Sequence, residues 1–133
     1  MPETGGELSF KEMCSRFDVT PRTLRYYEYI ELLSPRKDGR ARFYGGREVA
    51  RMTLILRGRR FGFSLEQIRQ WLEMYESHGT REQFATFIEQ AEKQLQAIEG
   101  QIAELAAARD DLAALRDEAA RLREQMPERP ARH

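Results

Sequence analysis

The sequence predicts an all-α chain with a small β-hairpin wing: a winged helix-turn-helix followed by a long coiled-coil helix. Three observations predict it. Two short amphipathic patterns meet at a tight turn around Asp18-Val19-Thr20. A turn-rich, arginine-bearing stretch surrounds Asp38-Gly39. Beyond Thr80 the helical pattern meets no proline until Pro127.

The first helix opens at Ser9, which forms a capping box with Glu12. Phe10, Met13, Cys14 and Phe17 recur at i, i+3, i+4 and i+7, the spacing of one buried face. Asp18 ends it. Cys14 is the single cysteine, so no intrachain disulfide can form, and its position gives it a core role rather than that of a reactive thiol. Thr20 caps the second helix, and Pro21 fits the first helical position, where a missing N–H costs nothing. Leu24 and Tyr27 turn inward, leaving Arg22, Thr23, Arg25 and Tyr26 on the outer face. Two short helices with a tight turn between them, the second basic and aromatic, make a helix-turn-helix pattern.

Pro35 then breaks helix. Asp38-Gly39 is a two-residue turn signal between strands around Ser34–Lys37 and Arg40–Tyr44. Arg36, Lys37, Arg40 and Arg42 cluster on this hairpin, which is too short to be stable alone and must lean on the helices as a wing. A third helix runs from about Arg47 to Arg60, with Val49, Met52, Ile55 and Leu56 inward. Arg57, Arg59 and Arg60 crowd its last turn, where the helix dipole favours cations. After the Phe61-Gly62-Phe63 hinge, Ser64 and Gln67 box the start of a fourth helix whose apolar side is Leu65, Ile68, Trp71, Leu72 and Tyr75.

His78-Gly79 interrupts the pattern, and Thr80 with Gln83 restarts it as far as about Gln125. That helix is about 67 Å long at 1.5 Å per residue. Leu95, Ile98, Ile102 and Leu105 keep the spacing of a coiled-coil seam. Leu112, Leu115, Ala119, Leu122 and Met126 continue it in a new phase, with Arg109 and Arg116 falling in the old one. Gly100 weakens the helix by about 1 kcal/mol relative to alanine. No other segment matches this length, so the stripe predicts a homodimer through residues 81–125; a monomer with the helix folded back is the alternative.

Hydrophobic residues make up 41% and charged residues 33% of the chain, and mean hydropathy is −0.71. Apolar runs such as Leu54-Ile55-Leu56 are too short to span a bilayer, so no membrane partner is expected. The N-terminus lacks a basic region leading into an apolar one, so a cytoplasmic location is expected. His78 and His133 lie far apart, and no Cys/His spacing suits a metal. No cofactor is expected. The missing nucleophile–base pairing, glycine-rich phosphate loop and metal-ligand set argue against an enzyme. Net charge is zero, yet residues 16–69 hold 13 Lys/Arg against 6 Asp/Glu, while residues 76–133 hold 8 against 12. The first segment is suited to a polyanion; ordinary solvated charge is the alternative.

The stretch VTPRTLRYYEYIELLSPRKDGRARFY, followed by RGRRFGFSLEQI, resembles the MerR family of bacterial transcription regulators. The resemblance covers residues 8–75, and the long helix after them is also family-like. It implies a homodimer joined by an antiparallel coiled coil, with each second helix in the major groove of half a palindrome and wings on the flanking phosphates. It further implies an over-long promoter spacer, bent and untwisted for RNA polymerase. On these positions Arg22 and Thr23 lie where base edges are reachable, and Thr20, at the cap of the same helix, is counted among the DNA-binding residues. Arg25 and Tyr27 match positions that hold phosphates or brace the helix, with core packing as the other reading of Tyr27, and Tyr26 is aromatic as in the family. Arg36, Lys37, Arg40, Arg42 and Tyr44 fall on the wing, and Arg57, Arg59 and Arg60 near a second, helical wing.

The chain departs from the family at Glu31, where a glycine usually ends the second helix, and at Ala41, often an aromatic. Branches that sense metals or oxidants carry cysteines after the long helix, and none stands there. Ending at His133, the chain is expected to lack the drug- or cobalamin-binding domains of other branches. Trp71, Met74, Tyr75, Phe84 and Phe87 either pack the fourth helix on the fifth or line an effector pocket, so a small-molecule effector stays open. The expected organisation is a flexible start (1–7), a DNA-binding domain (8–75), a dimerisation helix (80–126) and a flexible tail (127–133). A simple repressor or DNA-architectural protein, and a coiled-coil adaptor binding protein through its basic face, are the competing functions.

Overall fold

A computed structural model describes residues 6–128; the outer parts of the expected flexible ends, including His133, lie outside the described residues. The elements are β1 (Leu8–Ser9), α1 (Phe10–Phe17), α2 (Pro21–Tyr29), β2 (Arg36–Asp38), β3 (Ala41–Tyr44), α3 (Gly46–Phe61), α4 (Leu65–Glu76) and α5 (Arg81–Gln125). They form a mostly helical winged helix-turn-helix with a small antiparallel sheet and a long C-terminal helix. The chain divides into two compact units, the first ending at Gln90 and the second beginning at Ala91.

Local capping starts four of the helices. The Ser9 hydroxyl accepts the Glu12 N–H at 3.1 Å while the Glu12 carboxylate accepts the Ser9 N–H at 2.8 Å. Ser64 with Gln67 and Thr80 with Gln83 repeat this exchange, and Thr20 accepts the Thr23 N–H at 3.1 Å. Each cap satisfies N–H groups that the first helical turn leaves without a partner.

The chain leaves α2 through Glu31, which takes the left-handed conformation at φ 65°. The turn keeps the shape a glycine would give it. The steric cost of roughly 1–2 kcal/mol is offset just beyond, where Leu32 and Leu33 enter the core and their N–H groups both reach the Tyr27 carbonyl.

The hairpin differs in detail from its prediction. Pairing runs Arg36↔Phe43, Lys37↔Arg42 and Asp38↔Ala41, so the turn residues are Gly39-Arg40, one step beyond Asp38-Gly39. Gly39 stands at φ 63°, the left-handed first turn position that glycine takes without strain. Ser34 and Pro35 lie outside the strand. An unpredicted strand joins the other edge: β1 pairs with β3 through Leu8↔Tyr44 and Ser9↔Phe43, making β3 the central strand.

The core of the first unit gathers Met13, Leu24, Leu32, Tyr44, Met52, Ile55, Ile68 and Leu72, all fully buried. Helices α3 and α4 cross closely at Gly58, where a Cβ would stand 2.7 Å from Ile68 Cγ1. The buried side of α4 uses Met74 in place of Tyr75, which is 63% exposed. On α3, Glu48 and Arg51 are buried, while Val49 and Leu56 are only half-buried. In the second unit Leu95, Ile102, Leu105, Leu112 and Leu115 are exposed and Ile98 is half-buried, an apolar stripe that the described residues leave largely open. Among the described residues no helix is long and apolar enough to cross a membrane.

Candidate nucleic-acid interface

Helix α2 presents Arg22, Arg25 and Tyr26 to solvent, with Thr20 exposed at its cap and Thr23 half-buried. Thr20 and Thr23 share a hydroxyl hydrogen bond of 3.0 Å. The Arg25 guanidinium lies over the Phe10 ring, 5.6 Å from its centroid, which braces it against α1. Arg22 and Arg25 hold no ion pair with a described residue.

On the hairpin, Arg36 lies 4.7 Å from the Phe43 ring centroid and its guanidinium also grips Glu7 at 2.8–3.1 Å. That hydrogen-bonded pairing lowers the Glu7 pKa and raises that of Arg36. Lys37 and Arg40 are exposed and without an ion pair to a described residue. Arg42 turns toward α2, where its Nε donates to Glu28 at 2.7 Å. The Tyr44 hydroxyl donates to the other Glu28 oxygen. Burial first, then the Glu28 carboxylate, pushes the Tyr44 phenol far above its usual range, so it remains a donor. One carboxylate from α2 therefore holds two residues of the central strand.

Burial separates two tyrosines from the exposed residues of this face, and Tyr27 takes the core-packing alternative. Tyr44 is 0% exposed and has no surface to offer DNA. Tyr27, at 7% exposed, packs in the core. Both brace the outer face from within. At the end of α3, Arg57, Arg59 and Arg60 are exposed; Arg59 donates to the Phe63 carbonyl at 3.3 Å, and the other two hold no ion pair with a described residue.

Below α2 lies a polar latch. Arg51 donates from Nε to the Leu32 carbonyl at 2.8 Å and from Nη1 to Glu76 at 2.7 Å. Arg69 donates to the Ile30 carbonyl. Carbonyls exposed by the chain break at Glu31 thus receive guanidinium donors from α3 and α4. Glu48 accepts the Ser34 N–H and an Arg47 N–H, each at 2.7 Å, and Arg47 also reaches Glu76 at 3.0 Å. Burial raises the Glu76 pKa, but Arg51 and Arg47 together hold it below the ordinary value. Sequence reasoning missed Glu28, Glu48, Arg51, Arg69 and Glu76. The available signal was periodicity, since Glu48 and Arg51 share helical spacing with Met52 and Ile55.

At the α4–α5 joint, Trp71 stacks on Phe87 at 5.9 Å and 15°, and Phe63 meets Phe87 edge-on at 6.1 Å. Trp71 and Met74 are buried, whereas Tyr75 and Phe84 are exposed. An open groove of about 470 Å³ runs alongside, lined by Trp71, Met74 and Phe87 together with polar residues that include Gln67, Glu73 and Gln83. Among the described residues no group of three or more His, Cys, Asp or Glu is placed to hold a metal ion.

Comparison with known proteins agrees with this geometry. The family description "MerR HTH family regulatory protein" matches residues 8–75, and "MerR, DNA binding" matches residues 49–115. The chain is similar to the HTH-type transcriptional regulator ZntR of Escherichia coli (strain K12), 34% identical over 98 residues, covering 71% of this chain and 67% of that one. It is similar to the HTH-type transcriptional regulator HmrR of Rhizobium leguminosarum bv. viciae, 32% identical over 103 residues, covering 77% and 78%. Among solved structures, HiNmlR, a MerR family regulator lacking the sensor domain and bound to promoter DNA, aligns with a TM-score of 0.68 at 20% identity, covering 90% of this chain and 94% of that one. A MerR family transcriptional regulator from Bacillus cereus aligns at 0.58 with 24% identity, covering 93% and 88%. At these identities the two structures establish the fold.

Proposed function

The chain belongs to the MerR family of helix-turn-helix regulatory proteins, DNA-binding regulators of transcription rather than enzymes, and on that premise we propose that it binds a palindromic promoter site as a homodimer and bends and untwists it for RNA polymerase. The observation that carries this reading is the Glu28–Arg42–Tyr44 tie. It fixes the hairpin to α2, so that Arg22, Arg25, Lys37 and Arg40 project from one rigid head without carboxylate partners among the described residues.

In this reading residues 8–75 bind DNA. Thr20, Arg22 and Thr23 reach base edges; Arg25, Tyr26, Arg36, Lys37, Arg40 and Arg42 hold phosphates; Arg57, Arg59 and Arg60 add a second grip. Residues 80–126 dimerise through Leu95, Ile98, Ile102, Leu105, Leu112 and Leu115, whose exposure in the single chain calls for cover by a second copy. The cytoplasm is the location that fits. The promoter-bound HiNmlR supports the reading, being a family member without a sensor domain that engages a promoter.

The test is duplex binding by purified protein to its own upstream region and to a scrambled duplex, followed by transcription with purified polymerase. Expected are palindrome-selective binding that weakens steeply with salt and a changed transcript yield from an over-long spacer. Equal binding to both duplexes at moderate salt would refute the DNA reading. Selective binding with transcription only blocked would replace promoter remodelling by simple repression.

A further inference from the structure

We propose that the cleft between the start of α1, the outer face of α2 and the turn end of β3 seats one backbone phosphodiester of the bound DNA, with Lys11 as a contact. This rests on the DNA-binding reading above and adds a residue that the motif did not supply. The cleft measures about 350 Å³. Ser9, Phe10 and Lys11 line one side, Arg25 another, and the hairpin residues from Arg40 to Phe43 the third. Lys11, Arg25, Arg40 and Arg42 are all cations, and no lining residue is acidic.

The charges are already placed before any anion arrives. Arg25 is braced on the Phe10 ring, which itself lines the cleft. Arg42 is held by Glu28. Two nearby carboxylates are engaged elsewhere, Glu12 on the Ser9 N–H and Glu28 on Arg42 and Tyr44, while Asp38, which pairs with Ala41, is not among the lining residues. Lys11, Arg25 and Arg40 hold no ion pair with a described residue, so an incoming anion displaces no described partner there. One phosphodiester carries a single negative charge, and a surplus of cations around it favours release of its condensed counterion. The cleft bridges α2 and the hairpin, so a strand passing from one to the other crosses it. That location favours a DNA backbone phosphate over a free anion as occupant.

The experiment measures duplex affinity between 50 and 200 mM salt for the full chain and for Lys11→Gln, Lys11→Arg, Arg25→Gln and Arg16→Gln. Loss of one phosphate contact removes about 0.9 from the logarithmic salt slope, so the affinity ratio between these two salts shrinks about 3.5-fold. Lys11→Gln and Arg25→Gln should each show this, equally on palindromic and scrambled duplexes. Lys11→Arg should restore the slope. Arg16 lies outside the cleft lining, and its substitution should leave the slope unchanged. If the unmodified chain binds DNA but Lys11→Gln and Arg25→Gln keep its full salt slope, the seat is wrong and the DNA reading stands. If the unmodified chain binds no duplex, the DNA reading itself fails. Inorganic phosphate supplies the remaining arm, followed through the Phe10 and Lys11 amide resonances of the free protein. Saturable phosphate binding that Lys11→Gln abolishes, with the DNA slope unchanged, would assign the cleft to a free anion and overturn the proposal.

Discussion

Replacing Glu28 by glutamine removes a charge and keeps the shape. The carboxylate accepts from both Arg42 and Tyr44. An amide offers one oxygen, which Arg42 requires, and turns its NH2 toward Tyr44, whose hydroxyl must change from donor to acceptor; both bonds lose the charge that strengthened them. Hydrogen bonds to a charged group are worth about 1.5–3 kcal/mol each. The Arg42 side chain is 34% exposed, which screens its share, while the Glu28 side chain is only 10% exposed. The expected loss is about 2.5 kcal/mol, or roughly 10–20 °C in Tm for a unit of this size. Urea unfolding by circular dichroism measures it. Tyr44→Phe leaves the Arg42 pair intact and should cost less, about 1 kcal/mol. Both single changes act on the same Glu28–Tyr44 bond, so the loss in the double variant should fall below the sum of the singles. DNA affinity should drop in Glu28→Gln, because the hairpin loses its tether to α2. A stability change under about 0.5 kcal/mol, within the range of ordinary surface substitutions, with unchanged DNA affinity would refute the tie.

Glu76 has a pKa held below its ordinary value. A depressed carboxylate stabilises the fold above the unfolded value near pH 4.3 and loses that contribution as pH falls through the folded value. Glu76→Gln should therefore flatten the acid side of the stability profile, modestly since the side chain is 34% exposed; urea midpoints from pH 3 to 7 that keep the original acid slope would contradict this. Gly58→Ala drives a methyl to 2.7 Å from Ile68 Cγ1. It should cost about 1–3 kcal/mol, with part recovered by adding Ile68→Val, which removes the Cδ1 atom 2.9 Å away; a thermal melt at or above that of the unmodified chain would count against the close crossing. A chain ending at Gln90 retains the Trp71–Phe87 stack and lacks the exposed stripe. It should sediment as a folded monomer, and a dimer would remove dimerisation from the stripe.

What the sequence made legible was local. Ser9 with Glu12, Ser64 with Gln67 and Thr80 with Gln83 are three-residue patterns whose hydrogen bonds close within one turn. Helix α5 was legible because its spacing persists over many turns. The hairpin turn slipped by one residue because Gly39 satisfies either register; cross-strand pairing with Phe43 and Arg42 decided it. Strand β1 was invisible, since two residues carry no alternation and Leu8 becomes a strand only beside Tyr44. At the candidate interface residue type was a fair guide to exposure for Arg22, Arg25 and Arg40 and a poor one for Tyr44, which turns to the core. Glu48 and Arg51 read as surface by residue type. Their burial depends on the Ser34 N–H and Leu32 carbonyl, groups that only the folded chain brings within reach.

The tie at Glu28 also bears on how such a chain can change over generations. One carboxylate answers an arginine on one strand position and a phenol two positions on. Losing the carboxylate takes the shared acceptor from both partners, and losing either partner leaves one carboxylate oxygen without its donor. The three positions are therefore expected to be inherited as a set, while Arg22 and Arg25, which hold no ion pair with a described residue, are bound to no such set.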